Sequence, residues 1–278
     1  MPDVGRLLVC ATPIGNLGDV TLRVLDVLRS ADVILAEDTR VTRKLLARYD
    51  LHTPLERYDE ATAAVRTPVV VERIASGATV ALVSDAGTPG ISDPGARLVD
   101  AALTAGLPVE VLPGASAIVT ALVASGLPTH AFYFGGFLPR KAGELRRALA
   151  GLAGLDATLV FYESPRRTAA SVAAVAEVFP GRQAAMAREL TKLHEEVLRG
   201  TTGELARALE GRELKGEVVL LVGPPVADET PVVEDDTIAA AVNALVVAGV
   251  SRKDAVKRVS EGLGVPRNDV YRIALRSE

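Results

Sequence analysis

The stretch VSDAGTPGISDPG (residues 83–95) directly follows the apolar run TVAL (residues 79–82), as a loop follows a buried strand. It contains three glycines, two prolines, two aspartates, two serines and one threonine. Because glycine permits positive φ and proline stiffens turns, such a loop can present backbone N–H and C=O groups to a polar ligand at little ordering cost. Asp85, Thr88, Ser92 and Asp93 add side-chain hydrogen-bonding groups. The stretch therefore predicts a binding loop.

The sequence around this loop alternates between strand-like and helix-like segments. Strands are predicted at residues 7–11, 33–37, 79–84 and 109–112, and helices at residues 21–31, 41–49, 96–106 and 116–126. This alternation is typical of crossover units on a largely parallel sheet. A short strand, FYFGG (residues 132–136), is predicted to close this half of the chain.

The second half has strands that follow one another with fewer long crossovers. They are predicted at residues 157–163, 184–189, 195–200 and 217–223, with helices at residues 166–179 and 203–211. This order indicates a mixed sheet with antiparallel pairs. The segments FLPRKAGE (residues 137–144) and GPPVADETPVVEDD (residues 223–236) are interpreted as linkers.

These linkers divide the chain into three predicted parts. Residues 1–137 form a parallel-sheet α/β domain, residues 138–224 a mixed-sheet α/β domain, and residues 225–278 an acidic tether and a small helical domain. Residues 251–278 carry a net charge of +3 in a chain whose total is −4. The basic tail is either a helical cap on the body or a helix-turn-helix-like element that contacts nucleic acid.

Composition limits the class of protein. The chain has 278 residues, 49% of them hydrophobic, and its net charge of −4 excludes a generally basic coat for nucleic acid. Cys10 is the only cysteine, so we expect a buried thiol in a reducing compartment. We also expect a cytoplasmic protein with no membrane segment, and no metal site, because His52, His130 and His194 lack ligand spacing.

Two further loops lie at predicted strand-to-helix turns. ATPIGNLGDVT (residues 11–21) has neither a Walker A pattern nor a complete G-x-G-x-x-G, so an ordinary dinucleotide or nucleoside-triphosphate site is poorly supported. LPGASA (residues 112–117) ends near a predicted helix start at Ser116. Open α/β sheets place ligands at the carboxyl ends of their strands, so these loops predict a site at that edge.

Six segments, in order, carry a resemblance to a known family: ATPIGNLGDVTLR, AEDTR, SDAGTPGISDPG, PGASA, FYESPRRT and RELTKLHEEVLRG. They closely resemble the ribosomal RNA small subunit methyltransferase I family of the tetrapyrrole-methylase-like superfamily. The resemblance spans about residues 7–223 and extends to the helical tail. It implies two α/β domains with S-adenosylmethionine in the cleft between them, a homodimer, and 2′-O-methylation of a cytidine in the 16S ribosomal RNA of the 30S subunit.

The resemblance also implies a set of cofactor-binding residues. Relatives that act on corrins hold the cofactor on a GGDP-like loop, to which DAGTP (residues 85–89) corresponds here. The implied residues are Pro13, Gly87, Thr88, Pro89, Ile91, Ser92, Ser116, Ala117 and Tyr162.

Methyl transfer to a ribose hydroxyl is helped by a base that removes the hydroxyl proton. The candidates are carboxylates of the matching segments, namely Asp38, which we favour, and Glu37, Glu163 and Glu195, or Glu196 in place of the last. Each of them could instead pair with a neighbouring arginine.

Clusters of cations beside the predicted cleft fit contacts to an RNA backbone. The candidates are Arg40, Arg43, Lys44, Arg140, Lys141, Arg166, Arg167, Arg252, Lys253 and Arg267. Two other functions stay open: a methylase of tetrapyrroles or corrinoids, and a non-catalytic RNA-binding protein of ribosome assembly. The altered first loop and the basic tail argue against the tetrapyrrole alternative.

Overall fold

The structure, a computed structural model, describes residues 5–225, 235–247, 249–263 and 267–276. The chain divides into two compact units, Met1–Pro224 and Pro225–Glu278. The first unit contains two five-stranded sheets and the second a group of helices. The predicted α/β class, with a parallel first sheet and a mixed second sheet, is confirmed.

The first sheet is entirely parallel and has the strand order β3-β2-β4-β1-β5. Its strands are β1 (Arg6–Cys10), β2 (Val33–Ala36), β3 (Leu55–Arg57), β4 (Thr79–Val83) and β5 (Val109–Leu112). The helices that connect and flank them are α1 (Leu22–Ser30), α2 (Thr39–Arg48), α3 (Glu60–Ala75), α4 (Gly95–Thr104) and α5 (Ala117–Ser125). The inner strands are buried along almost their whole length because helices cover both faces.

The register of this sheet brings several loops together. Cys10 pairs with both Val83 and Leu112, and Val83 also pairs with Ala36. Four strands therefore end at the same level, and the loops that follow them lie side by side. Thr21 caps α1 by accepting a hydrogen bond from the Val24 N–H at 3.2 Å, as its position in the sequence predicts.

The second sheet has the order β6-β7-β10-β8-β9. Its strands are β6 (Phe132–Phe137), β7 (Thr158–Glu163), β8 (Gln183–Arg188), β9 (Glu196–Thr201) and β10 (Val218–Val222), with helices α6 (Ala142–Ala150), α7 (Thr168–Val178) and α8 (Thr202–Leu209). β6 is parallel to β7, and the other neighbouring pairs are antiparallel.

One expectation about this unit needs correction. The sequence places the strand at residues 132–136 at the end of the first half, in the parallel-sheet domain, but β6 pairs with β7 and is an edge strand of the second sheet. The elements β3, α3 and α6 were not predicted. β3 is only three residues long, and Pro68 lies inside α3, where proline normally interrupts a helix.

The second compact unit contains α9 (Asp235–Val247), α10 (Arg252–Leu263) and α11 (Arg267–Arg276). Ile238, Val242, Val256, Val259 and Ile273 belong to its own apolar core. The Ser251 Oγ accepts a hydrogen bond from the Asp254 N–H at 3.2 Å at the start of α10. Most of the predicted acidic tether, residues 226–234, lies outside the described residues. In the described ranges, no helix combines the length and the apolar character needed to cross a membrane.

Candidate functional site

A cavity of about 270 Å³ lies in the first unit, where the loops of the parallel sheet face the mixed sheet. We call it the main cavity. From the first sheet it is lined by Ile14, by Ala86–Thr88 with Ile91, and by Ser116 with Ala117; from the second by Phe137, Tyr162–Pro165, Ala187, Leu190 and Gly216–Val219. The loop at residues 83–95 therefore forms one wall, as the sequence predicts.

Internal hydrogen bonds fix the conformation of the 83–95 loop. The Asp93 carboxylate accepts hydrogen bonds from the N–H groups of Gly90 and Gly95 at 2.8 and 2.7 Å, and the Ser84 hydroxyl donates to the Gly87 carbonyl at 3.1 Å. Gly87 and Gly90 have φ of +80° and +93°. Asp93 and Ser84 thus stabilise the loop, and Gly87 lies in the left-handed backbone region that favours glycine.

The first loop is held against this wall. The Thr12 N–H donates to the Gly87 carbonyl at 2.8 Å, and the Gly87 N–H donates to the Thr12 carbonyl at 3.0 Å. The Thr12 hydroxyl also donates to the Ser84 carbonyl at 3.0 Å. These bonds place Ile14, two residues further on, against the main cavity.

The opposite wall is aromatic and largely apolar. The Tyr162 ring meets that of Phe134 edge-on at 4.9 Å and that of Phe137 at 5.5 Å, between ring centroids. Burial, and secondarily the charge of Glu217, raises the pKa of the Tyr162 phenol, so it stays protonated at neutral pH. Across the cavity, the Ser116 hydroxyl caps α5 by accepting from the Val119 N–H.

A second cavity, of about 410 Å³, adjoins the main one and shares Ile14, Ala86 and Glu217 with it. It lies between the first loop, α2 and the beginning of the 83–95 loop. Its polar or charged lining residues are Thr12, Lys44, Thr42, Ser84, Asp85, Lys192 and Glu217. Among the described residues, no group of three or more His, Cys, Asp or Glu side chains could hold a metal ion.

The cofactor-binding residues implied by the resemblance do not all line the same cavity. Six of them, Gly87, Thr88, Ile91, Ser116, Ala117 and Tyr162, line the main cavity. Pro13 lines the second cavity instead. Pro89 is buried and Ser92 is exposed, with φ of +62°, and neither lines the cavities described above.

Asp38, the favoured candidate base, is engaged with its neighbour Arg40. It caps α2 through the Arg40 N–H at 2.8 Å and pairs with the Arg40 guanidinium at 2.6 Å. These hydrogen bonds from Arg40 lower the pKa of Asp38 to about 2. A carboxylate with so low a pKa is a weak base, so the geometry favours a structural role for Asp38.

The other three candidates have different environments. Burial, together with Asp85 and other nearby carboxylates, raises the pKa of Glu37, but Glu37 does not line either cavity. Glu163 lines the main cavity, yet its buried carboxylate accepts from the Ser171 hydroxyl at 2.5 Å and pairs with Arg167 at 3.3 Å. The exposed Glu195 accepts from the Thr191 N–H at 2.6 Å, and the alternative, Glu196, pairs with Arg188 and Arg212.

The predicted RNA-contacting cations are mostly exposed. Exposed side chains include Arg40, Arg43, Lys44, Arg140, Lys141, Arg166, Lys253 and Arg267, while Arg252 is half-buried. Arg167 differs because it pairs with Glu163 and donates to the carbonyls of Leu138 and Pro139 at 3.2 and 2.7 Å. We therefore assign Arg167 to the framework of the cleft.

The sequence pattern does not single out two charged residues of the second cavity, Asp85 and Lys192. Asp85 is one of several polar groups in the 83–95 loop. A carboxylate next to the small residues of a binding loop was the available signal. Lys192 comes from a distant part of the chain, so only the folded structure shows that it shares a cavity with Asp85.

Comparisons with known proteins agree with this architecture. The profile of the family described as Tetrapyrrole (Corrin/Porphyrin) Methylases matches residues 6–206. The ribosomal RNA small subunit methyltransferase I of Halalkalibacterium halodurans is 43% identical over 98% of this chain and 95% of its own. Its namesake from Mycobacterium tuberculosis strain H37Rv is 45% identical, with the same coverage.

A solved structure shares the fold. It is uroporphyrin-III C-methyltransferase from Thermus thermophilus, complexed with S-adenosyl homocysteine, with a TM-score of 0.57 and 21% identity. The match covers 79% of this chain and 97% of that one. The fold and the matched profile define a methyltransferase of the tetrapyrrole-methylase class. Within that class, the chain belongs to the ribosomal RNA small subunit methyltransferase I family, which confirms the resemblance.

Proposed function

We propose that this protein methylates the ribose 2′-oxygen of a cytidine in the 16S ribosomal RNA of the 30S subunit. The observation that carries the proposal is the 43–45% identity, over 98% of the chain, to proteins named ribosomal RNA small subunit methyltransferase I. S-adenosylmethionine is the methyl donor, and it supplies a methyl group on a sulfonium that already has a good leaving group.

The residues of the main cavity fit this cofactor. Tyr162, Ile14 and Leu190 give apolar and aromatic surface for an adenine ring. The turn at Gly87 and Thr88 brings backbone close to the ligand without a Cβ at residue 87, and Ser116 adds a hydroxyl. We propose that these residues, with Ile91 and Ala117, hold the cofactor.

The main contribution of the chain is to hold the methyl donor and the RNA in position. The hydrogen bonds between Thr12 and Gly87, and the one that Asp93 accepts from the Gly90 N–H, fix one wall of the main cavity. The aromatic contacts of Tyr162 fix the other wall. Because holding two reactants in the correct geometry lowers the barrier by several kcal/mol, about 7–11 in the best cases, a rigid cavity suits an in-line methyl transfer. Three exposed cations, Arg43, Lys44 and Arg166, are proposed to contact RNA phosphates, and Lys44 lines the second cavity.

We propose that two copies of the chain form a homodimer that acts on the ribosomal subunit in the cytoplasm. Support for a dimer comes from apolar side chains on edge strands of both sheets. Val111 on β5 is 56% exposed, and Phe132 and Tyr133 on β6 are 47% and 41% exposed. A second copy of the chain would remove these apolar side chains from water.

The test is incubation of the purified protein with tritiated S-adenosylmethionine and 30S subunits from a strain that lacks this gene. We expect label in 16S ribosomal RNA, and a 2′-O-methylcytidine in the nucleoside digest by mass spectrometry. Label only in an added corrinoid would favour the tetrapyrrole alternative. RNA binding without any transfer would favour the assembly-factor alternative.

A further inference from the structure

The second cavity adjoins the main cavity. The two cavities share Ile14, Ala86 and Glu217, so they lie next to each other. Leu17, Val41 and Leu45 give the second cavity an apolar side, while other walls carry hydroxyls, carboxylates and two lysines. An apolar surface beside polar and cationic groups suits a nucleotide, which has a flat base, a hydroxylated sugar and a phosphate.

Asp85 has a defined position in the second cavity. It lines the second cavity and directly precedes Ala86, which lines both. Its Oδ1 accepts a hydrogen bond from the Asp38 N–H at 2.9 Å, which fixes the carboxylate. Its other oxygen, Oδ2, makes no hydrogen bond to the described part of the chain, which includes all of residues 5–225.

The other charged groups of the second cavity are less suited to accept a proton. Burial lowers the pKa of Lys192, but its hydrogen bonds to Glu189 and Glu217 outweigh this effect and raise the pKa overall, so Lys192 keeps its proton. The Glu217 carboxylate is 70% exposed and pairs with Lys192 at 3.0 Å. Burial raises the pKa of Asp85, and a higher pKa makes its carboxylate a stronger base.

We propose that the second cavity takes the target nucleoside of the RNA and that Asp85 accepts the proton of its ribose 2′-hydroxyl. This inference rests on the proposed function. In the step, the O2′–H bond breaks and its proton passes to the Asp85 carboxylate. A bond forms between O2′ and the methyl carbon, and the carbon–sulfur bond breaks with its electron pair left on sulfur, so the second product is a neutral thioether.

Lys44, on α2, adds a positive charge to the second cavity. Its side chain is exposed and lines the second cavity, so its ammonium group can reach the phosphate of a nucleotide bound there. Asp85 and Lys44 therefore have different kinetic signatures. Loss of the base lowers kcat, whereas loss of a phosphate contact raises KM for the RNA with little change in kcat.

The decisive variant is Asp85→Asn, because asparagine keeps an oxygen that can accept the Asp38 N–H but cannot act as a base. We expect its single-turnover rate on 30S subunits to fall by about 100-fold or more. Affinity for S-adenosyl homocysteine by calorimetry, and for 30S subunits by filter binding, should stay within about twofold. The matched control is Asp50→Asn, which changes an exposed aspartate at the end of α2.

The pH profile gives a second readout. The base must be ionised, so the wild-type rate should fall as the pH drops through the raised pKa of Asp85, and Asp85→Asn should lack this dependence. A third readout needs no turnover. In carbon-13 NMR spectra, the Asp85 carboxyl resonance, assigned by its loss in the variant, should shift on titration with cytidine 5′-monophosphate.

The outcomes separate the two proposals. Methyl transfer by the wild type, together with an unchanged rate and pH profile in Asp85→Asn, would overturn the role of Asp85 and leave the proposed function standing. An Asp85 resonance that does not respond to cytidine 5′-monophosphate would contradict the nucleoside cavity. Absence of any transfer by the wild type would overturn both.

Discussion

Gly87 shows how a single residue shapes the wall of the main cavity. Its φ of +80° lies in the left-handed region, where a Cβ is strained. A Cβ there would find ordinary contact distances, 3.6 Å to Ile14 Cγ2 and 3.7 Å to the Ala115 carbonyl oxygen. The backbone conformation, more than lack of space, therefore requires glycine at this position.

We predict that Gly87→Val lowers the affinity for S-adenosyl homocysteine by about tenfold or more. A valine at this φ costs about 1–3 kcal/mol of strain, which the loop can relieve by turning away from Thr12 and out of the cavity wall. The measurement is isothermal titration calorimetry. Gly126→Val is the control, because Gly126 has a φ of +74°, caps the far end of α5, and has no described atom beyond its chain neighbours within 4 Å of its Cβ position. Equal affinity in both variants would contradict the placement of Gly87.

The reactivity of the Cys10 thiol reports whether β1 is buried. Desolvation by burial, with a smaller contribution from Glu110, raises the pKa of its thiol to about 12. The thiolate is the reactive form, so we expect no reaction with 5,5′-dithiobis-(2-nitrobenzoic acid) at pH 8 in the folded protein. Full reaction is expected in 6 M guanidinium chloride, where the pKa returns to its usual range. Rapid labelling of the folded protein would show that β1 is accessible.

At the scale of elements, the contact between two loops shapes both cavities. The first loop approaches the segment after β8, and the Asn16 N–H donates to the Thr191 Oγ1 at 3.0 Å. Gly15 makes this approach possible, because a Cβ there would lie 2.5 Å from Lys192 Cγ and 2.9 Å from the Leu190 carbonyl oxygen. Gly15 therefore has a packing role at the contact between the two loops.

We therefore predict that Gly15→Ala lowers methyl transfer to 30S subunits by about tenfold. The added methyl group must push the two loops apart and so displace Ile14 and Leu190 from the main cavity and Lys192 from the second. Initial rates and calorimetric cofactor affinity measure the effect. Gly143→Ala, in α6, should leave both unchanged, because outside its own helix no atom of the described residues lies within 4 Å of its Cβ position. Wild-type values in Gly15→Ala would show that the loops are free to separate.

At the scale of the whole molecule, the second compact unit has an apolar core of its own. Its exposed cations include Lys253 and Arg267. We predict that removal of residues 225–278 lowers the affinity for 30S subunits by tenfold or more and spares the affinity for S-adenosyl homocysteine. The physical reason is the loss of cationic contacts to phosphate, whose contribution falls with added salt.

The truncated protein should bind 30S subunits with a weaker salt dependence than the full chain, as measured by filter binding. Circular dichroism checks that residues 1–224 keep their fold. Lys253→Glu in the full chain gives an independent test, with reduced RNA affinity expected. If methylation of 30S subunits is unaffected by both changes, the helical unit is a cap without an RNA contact.

The sequence by itself determined the α/β class, the parallel sheet, the family and the loop that forms the cavity wall. These features depend on local signals: alternation of apolar runs with helical periodicity, turn residues between them, and segments matched in order. Local signals predict the structure well where a strand, its loop and the following helix are neighbours along the chain, as in residues 79–104.

Only the tertiary structure decided which sheet β6 joins, how each carboxylate is engaged and which loops meet. β6 pairs with β7 although the intervening α6 separates them along the chain. Asp38 pairs with Arg40, whereas within the described residues only one oxygen of Asp85 accepts a hydrogen bond. Lys192 and Asp85 lie more than 100 residues apart in the sequence, yet they line one cavity. The basicity of a carboxylate depends on its burial and its neighbours in space, and strand pairing and packing set both after the chain has folded.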